Sequence, residues 1–126
     1  MKTVINTPKA PAPIGPYNQA ILKNDTLFIS GQIALNPETM ELIQGDITAE
    51  TRRCMESLKA ILAEANMNFG NVVKTSIFLK DMHQFAEVNA VYGEYFQGEI
   101  PPARETVEVG NLPKFVNVEI SMIAMR

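Results

Sequence analysis

Apolar side chains recur along this chain with two different periods, and the switches between them mark out its elements. Ile21 and Leu22 run into Asn24-Asp25, a turn pair, and LFISGQIAL follows at Leu27 to Leu35, which predicts a hairpin. In its second strand Leu27, Ile29, Ile33 and Leu35 share one face, and Phe28, Ser30, Gln32 and Ala34 share the other. Pro37 and Gly45 then place a loop over residues 36–46. Asp46 is a candidate N-cap, and Thr51, Cys54, Met55, Leu58, Ile61, Leu62 and Ala65 recur at three and four, the stripe of an amphipathic helix ending near Asn66. After Gly70 the period returns to two in VVKTSIFL, Val72 to Leu79, with Val73, Thr75, Ile77 and Leu79 on one side.

Asp81 followed by Gln84 resembles a capping box for a second helix, whose stripe is Phe85, Val88, Tyr92, Tyr95 and Phe96. Asn89 falls inside that stripe, where a buried amide needs partners, either backbone groups or a ligand. Pro101 and Pro102 cannot continue a helix, so ARETVEV from Ala103 to Val109 begins a strand with Arg104 at its mouth, on the same side as Thr106. GNLPK at Gly110 to Lys114 turns the chain, and FVNVEISMIAM closes it as a long strand. Val116, Val118, Ile120, Met122 and Ala124 form a wholly apolar face; Phe115, Asn117, Glu119, Ser121, Ile123 and Met125 form a mixed one. The pattern predicts an α+β fold, a mixed sheet with two helices on one face. The mixed face is too oily for solvent, and no third helix is available to cover it, so another subunit is expected there.

At 126 residues the chain is expected to form one domain, spanning residues 1–126. No apolar run approaches a membrane span, and the start, MKTVINTPKAPAP, has no apolar signal core, which sets the expectation of a cytoplasmic protein without membrane contact. The single cysteine, Cys54, lies in the helix stripe and reads as packing, and no cysteine or histidine cluster suggests a metal. His83 is the only histidine and reads as a surface residue. A net charge of −3 without a basic run argues against nucleic acid as a general partner. Four of the eight prolines (Pro8, Pro11, Pro13, Pro16) crowd into the stretch before Tyr17 and predict a constrained loop.

Two side chains carry chemistry. Arg104, on a stiff strand after two prolines, offers a planar fork suited to a carboxylate, and Glu119 lies mid-strand on a face expected to be covered, where an unpaired carboxylate is costly. Strand parity permits Tyr17, Ser30, Arg104 and Glu119 to meet on the mixed face or at its rim. An arginine holding a small carboxylate without turnover would make a sensing module; the second, like-charged group favours an enzyme.

GPYNQA, SGQ at Ser30 to Gln32, PPARETVEV with LPK, and VNVEI at Val116 to Ile120 occur in an order, over essentially the whole chain, that resembles the RidA/YjgF family. The resemblance implies a homotrimer of chorismate-mutase-like subunits around a barrel-like core, with sites in the clefts between subunits. It also implies hydrolysis of small-molecule 2-imino acids, such as 2-iminobutanoate and 2-iminopropanoate released by pyridoxal-phosphate enzymes, to 2-oxo acids and ammonia without a cofactor. By motif position it implies catalytic roles for Arg104 and Glu119 and ligand contacts at Tyr17, Ser30, Gly31, Asn89, Arg104 and Thr106. Alternatives are a non-catalytic 2-oxo-acid module and, third, an endoribonuclease. Asn18 stands where relatives commonly carry serine, Thr106 where many carry cysteine, and Gly110-Asn111 replaces a more usual Ala/Ser-Arg pair, so thiol chemistry at residue 106 is impossible here.

Overall fold

In the computed structural model, which describes residues 1–126, the chain begins with a short strand, β1 (Thr3–Ile5), antiparallel to β2 (Ala20–Lys23). The pattern did not mark β1, because three half-exposed residues show no period. β2 turns into β3 (Thr26–Gln32) through Asn24 and Asp25, whose φ of 50° and 64° is the left-handed pair a tight hairpin needs. Helix α1 (Ile47–Glu64) follows, with Asp46 accepting from the Thr48 amide at 3.0 Å as its N-cap. Then come β4 (Val72–Leu79), a 3-10 turn at Met82–Gln84 capped by Asp81, α2 (Phe85–Glu94), β5 (Ala103–Glu108) and β6 (Val118–Met125).

The six strands form one mixed sheet in the order β1-β2-β3-β6-β4-β5, with β4 and β5 parallel and every other pair antiparallel. Both helices lie on one face. The whole stripe of α1, from Thr51 to Ala65, is buried against Leu27, Ile29, Ile77, Leu79, Val118, Ile120, Met122 and Ala124. The other face is covered within the chain only where Phe78 packs against Ile33, Leu35, Leu112 and Val116; Phe28 is 50% and Met125 48% exposed.

Three departures from simple alternation position the site. First, β3 advances from Ile29 opposite Met122 to Gln32 opposite Ile120, three residues against two, so a bulge lies at Ser30-Gly31. Gln32 thereby enters the buried side, donating to the Ser30 carbonyl at 3.1 Å. Ile33 and Leu35 leave the face of Leu27 and Ile29 and pack with Leu112 and Val116 in a separate small cluster. Second, an irregularity between Val72 and Lys74 buries Val72, while Val73, expected inside, is 44% exposed. Third, the last strand starts at Val118. Residues Pro113–Phe115 form a 3-10 turn in which Lys114 and Phe115 both take left-handed backbone (φ 55° and 56°), leaving Phe115 80% exposed. Asn117, expected on the mixed face, instead donates through Nδ2 to the buried Glu50 carboxylate of α1.

Candidate active site

The Arg104 side chain is fixed by α2. Its Nη1 donates to Asn89 Oδ1 at 2.6 Å, and its guanidinium carbon lies 4.9 Å from the centroid of the Tyr92 ring and 5.6 Å from that of Phe85. Tyr92 is itself held by a 2.9 Å bond from its hydroxyl to the buried Thr75 Oγ1. Burial raises the Tyr92 phenol above its usual range, against the opposing pull of Thr75 and of the Arg104 charge, so the ring under the guanidinium stays neutral. No carboxylate of the chain pairs with Arg104. Nε and Nη2 remain free, so the arrangement differs from a surface ion pair. Asn89 is exposed rather than buried in the helix stripe: one residue past Val88, it points along the sheet edge toward Arg104. Two residues along the strand, Thr106 Oγ1 is buried without a partner.

A second group gathers at the β3 bulge. A small cavity of about 50 Å³ is lined by Ile14, Tyr17, Gly31, Ile33, Pro113 and Glu119, among others. Burial alone raises the Glu119 carboxyl above the usual carboxylate range. Its carboxylate has no hydrogen-bond partner and sits directly over Gly31, where an added Cβ would come within 2.6 Å of Oε2. The carboxylate occupies the space a side chain at residue 31 would take, so any larger residue there must displace it. Tyr17 is half exposed, and its hydroxyl accepts from the Ile14 amide at 3.2 Å. Ser30, by contrast, spends its proton on structure: Oγ donates to the Asn18 carbonyl at 2.6 Å, leaving only acceptor capacity for a ligand.

Gln19, which the sequence reading passed over, builds the wall of this cavity. At 3% exposed, it accepts from the Thr7 amide and donates to the carbonyls of Thr7, Ala10 and Pro11, so one amide side chain pins the proline-rich loop. The signal available was a glutamine next to a strand start, after a loop whose prolines cannot supply their own amide donors.

The two groups do not meet within one subunit. Arg104 and Thr106 pair with Thr75 and Ile77, whose side chains are buried beneath the helices, whereas Glu119 pairs with Phe78 on the opposite face, beside the small cluster of Ile33, Leu35, Leu112 and Val116. The meeting on one face that strand parity permits for Arg104 and Glu119 does not occur within a single chain. Parity relates residues within one strand, whereas the face a strand turns to the helices is set by its register with its neighbour.

Residues 7–126 match the sequence profile of the family described as Endoribonuclease L-PSP. This chain belongs to that family, the RidA/YjgF family. A RutC family protein from Pyrococcus horikoshii is 52% identical over 126 residues, covering 100% of this chain and 99% of the relative. The 2-iminobutanoate/2-iminopropanoate deaminase of Mus musculus is 44% identical over 126 residues, covering 100% of this chain and 93% of its own length. Among solved structures, the YjgF gene product of E. coli superposes with a TM-score of 0.94 at 43% identity, covering 98% of each chain. E. coli TdcF with bound serine gives 0.94 at 37% identity, again over 98% of each. The α+β fold, with a six-stranded mixed sheet and two helices, is thus that of RidA/YjgF structures.

Proposed function

We propose that this RidA/YjgF protein hydrolyses 2-imino acids with short side chains to 2-oxo acids and ammonia, in sites that two subunits of a homotrimer complete between them. The observation that carries this reading is Arg104: a guanidinium locked by Asn89 and stacked over Tyr92, with two donor positions open and no carboxylate of its own. Such a fork recognises the carboxylate of a small acid in two parallel hydrogen bonds. The uncovered apolar face with Phe28 and Met125 supports assembly, and a neighbouring subunit would bring its Glu119 cavity to the Arg104 edge.

The chemistry then follows from the two halves. Arg104 aims the substrate by its carboxylate, which places the imine carbon near a water held by Glu119. The water oxygen attacks that carbon while Glu119 takes a proton, giving a tetrahedral carbinolamine. With the imine protonated at the start, return of that proton to the carbinolamine nitrogen lets the C–N bond break. As ammonia leaves, the freed Glu119 carboxylate takes the hydroxyl proton, so that the C=O of the 2-oxo acid forms and the proton passes on to ammonia as ammonium. A carboxyl whose proton affinity is raised by burial suits both transfers. The Mus musculus relative's name supports this substrate class.

The deciding experiment is ammonia release from freshly generated 2-iminobutanoate, compared with the spontaneous rate. Acceleration that disappears in Glu119→Gln supports hydrolysis. Binding of 2-oxobutanoate without any acceleration would replace the enzyme reading with a carboxylate-binding module. The family's endoribonuclease description provides a further arm: cleavage of single-stranded RNA by the same preparation, undiminished in Arg104→Ala, would contradict the assignment of the site to small acids.

A further inference from the structure

Glu50 is the most deeply buried carboxylate of the chain, 2% exposed in the first turn of α1, and no cation pairs with it. Both of its oxygens face Asn117 Nδ2, at 3.0 and 3.3 Å. Arg53, one turn further on, directs Nη2 to Ser57 Oγ at 3.4 Å, and its Nε is buried without a partner. A buried carboxylate held by one neutral amide is a poor choice for packing alone, since an apolar side chain would avoid the desolvation.

The partner's place in the fold supplies a reason. Asn117 is the last residue before β6, separated only by Val116 from the turn with left-handed Lys114 and Phe115. It is gripped from two sides: its carbonyl accepts from the Lys80 amide at the end of β4 at 3.0 Å, and its side chain is held by α1 through Glu50. Glu119 stands two residues further along, with no hydrogen bond to fix its carboxylate. Cys54 lies within electrostatic reach of both carboxylates: burial foremost, then the charges of Glu50 and Glu119, push its thiol well up.

We propose that Glu50 and Asn117 are a positioning pair, which sets where β6 begins and so where the Glu119 carboxylate stands over Gly31. The pair acts through the backbone of β6 and does not touch substrate. The kinetic part of this proposal rests on the imine-hydrolase reading, and the structural part does not.

The test reverses the hydrogen bond. Asn117→Asp sets two carboxylates against each other; Glu50→Gln keeps an acceptor for Asn117; Glu50→Gln with Asn117→Asp restores the bond with donor and acceptor exchanged. Asn117→Asp should lower kcat between about tenfold and about a hundredfold, as expected for a displaced reacting group, while the 2-oxobutanoate Kd set by Arg104 stays within about twofold. Glu50→Gln should resemble the parent, and the double variant should recover most of the lost kcat. Amide hydrogen exchange at Lys80 and Glu119 should speed up in Asn117→Asp and slow again in the double variant. Parent-like kcat in Asn117→Asp would overturn the proposal, as would a double variant that regains exchange protection without regaining rate. Should the parent show no imine hydrolysis, the functional reading falls by itself. Exchange then decides: unaltered protection in Asn117→Asp overturns the pair, and loss with recovery in the double variant upholds it.

Discussion

Arg104 and Glu119 leave opposite faces of one sheet, Arg104 paired with the buried Thr75 and Glu119 with the half-buried Phe78 on the side away from the helices. Under the proposed function, a carboxylate clamp and a water-handling carboxyl placed this way do not reach one small molecule within a single chain. The proposed homotrimer answers both this separation and the exposed apolar residues Phe28 and Met125 with a second copy of the chain. On the proposed reading, each edge bearing Arg104, Asn89 and Thr106 would take Glu119, Gly31 and Tyr17 from a neighbouring copy.

Replacement of Arg104 separates charge from geometry. Arg104→Ala should cost roughly 3 kcal/mol or more in kcat/KM, on the order of a hundredfold or above, because a desolvated substrate carboxylate loses both hydrogen bonds. Arg104→Lys should recover little of this, since a point charge cannot replace the fork or its stacking on Tyr92. Steady-state kinetics with 2-iminobutanoate measures both; a lysine variant equal to the parent would mean that attraction alone suffices.

Gly31→Ala places a methyl within 2.6 Å of the Glu119 carboxylate and must displace it. The expected outcome is a folded trimer in which kcat falls by about tenfold or more while 2-oxobutanoate still binds. Calorimetric titration beside the ammonia assay reads the two effects separately.

Glu119 also makes stability depend on pH. Burial raises its folded-state pKa, so the folded chain holds the proton more tightly than the unfolded chain. Stability from this group is fully present below the ordinary carboxylate range and falls as pH rises from there through the raised value. Glu119→Gln removes that penalty. It should therefore raise Tm relative to the parent at neutral pH, with the gain shrinking toward zero on acidification below the ordinary carboxylate range. Thermal melts of both proteins across that range check the sign.

Much of this fold was legible in the sequence. The stripe of α1 from Thr51 to Ala65 is entirely buried, the Asp46 cap is in place, and β4 has the bounds its alternation gave. What escaped was local. A bulge adds one residue and reverses parity, so Gln32 entered the buried side and Val73 left it without any change in composition. Phe115 reads as strand, yet the turn it occupies holds two successive left-handed residues, a conformation that its residue type does not announce. Residue type marked Arg104 and Glu119 as candidates for chemistry, but the faces they occupy depend on register, a property of pairs of strands. Asn89 shows the same limit on a helix: a rotation of one residue turned an expected buried amide into an exposed partner for Arg104.

Cys54 is buried in α1 with its thiol pushed up by burial, so it is unsuited to act as a nucleophile. Cys54→Ala should leave turnover intact and cost about 1 kcal/mol of stability from lost packing. Chemical denaturation and the ammonia assay together test this; a folded but inactive variant would give the thiol a role.

The shared site is tested most directly by mixing two inactive proteins. Arg104→Ala and Glu119→Gln each disable a different half, so trimers assembled from equal amounts of both contain some clefts with an intact Arg104 from one subunit and an intact Glu119 from its neighbour. Random assembly makes about one cleft in four complete, and refolding the variants together should restore about a quarter of parent ammonia release. Mixed trimers, verified by native mass spectrometry, that release no more ammonia than either variant alone would contradict a site built between subunits.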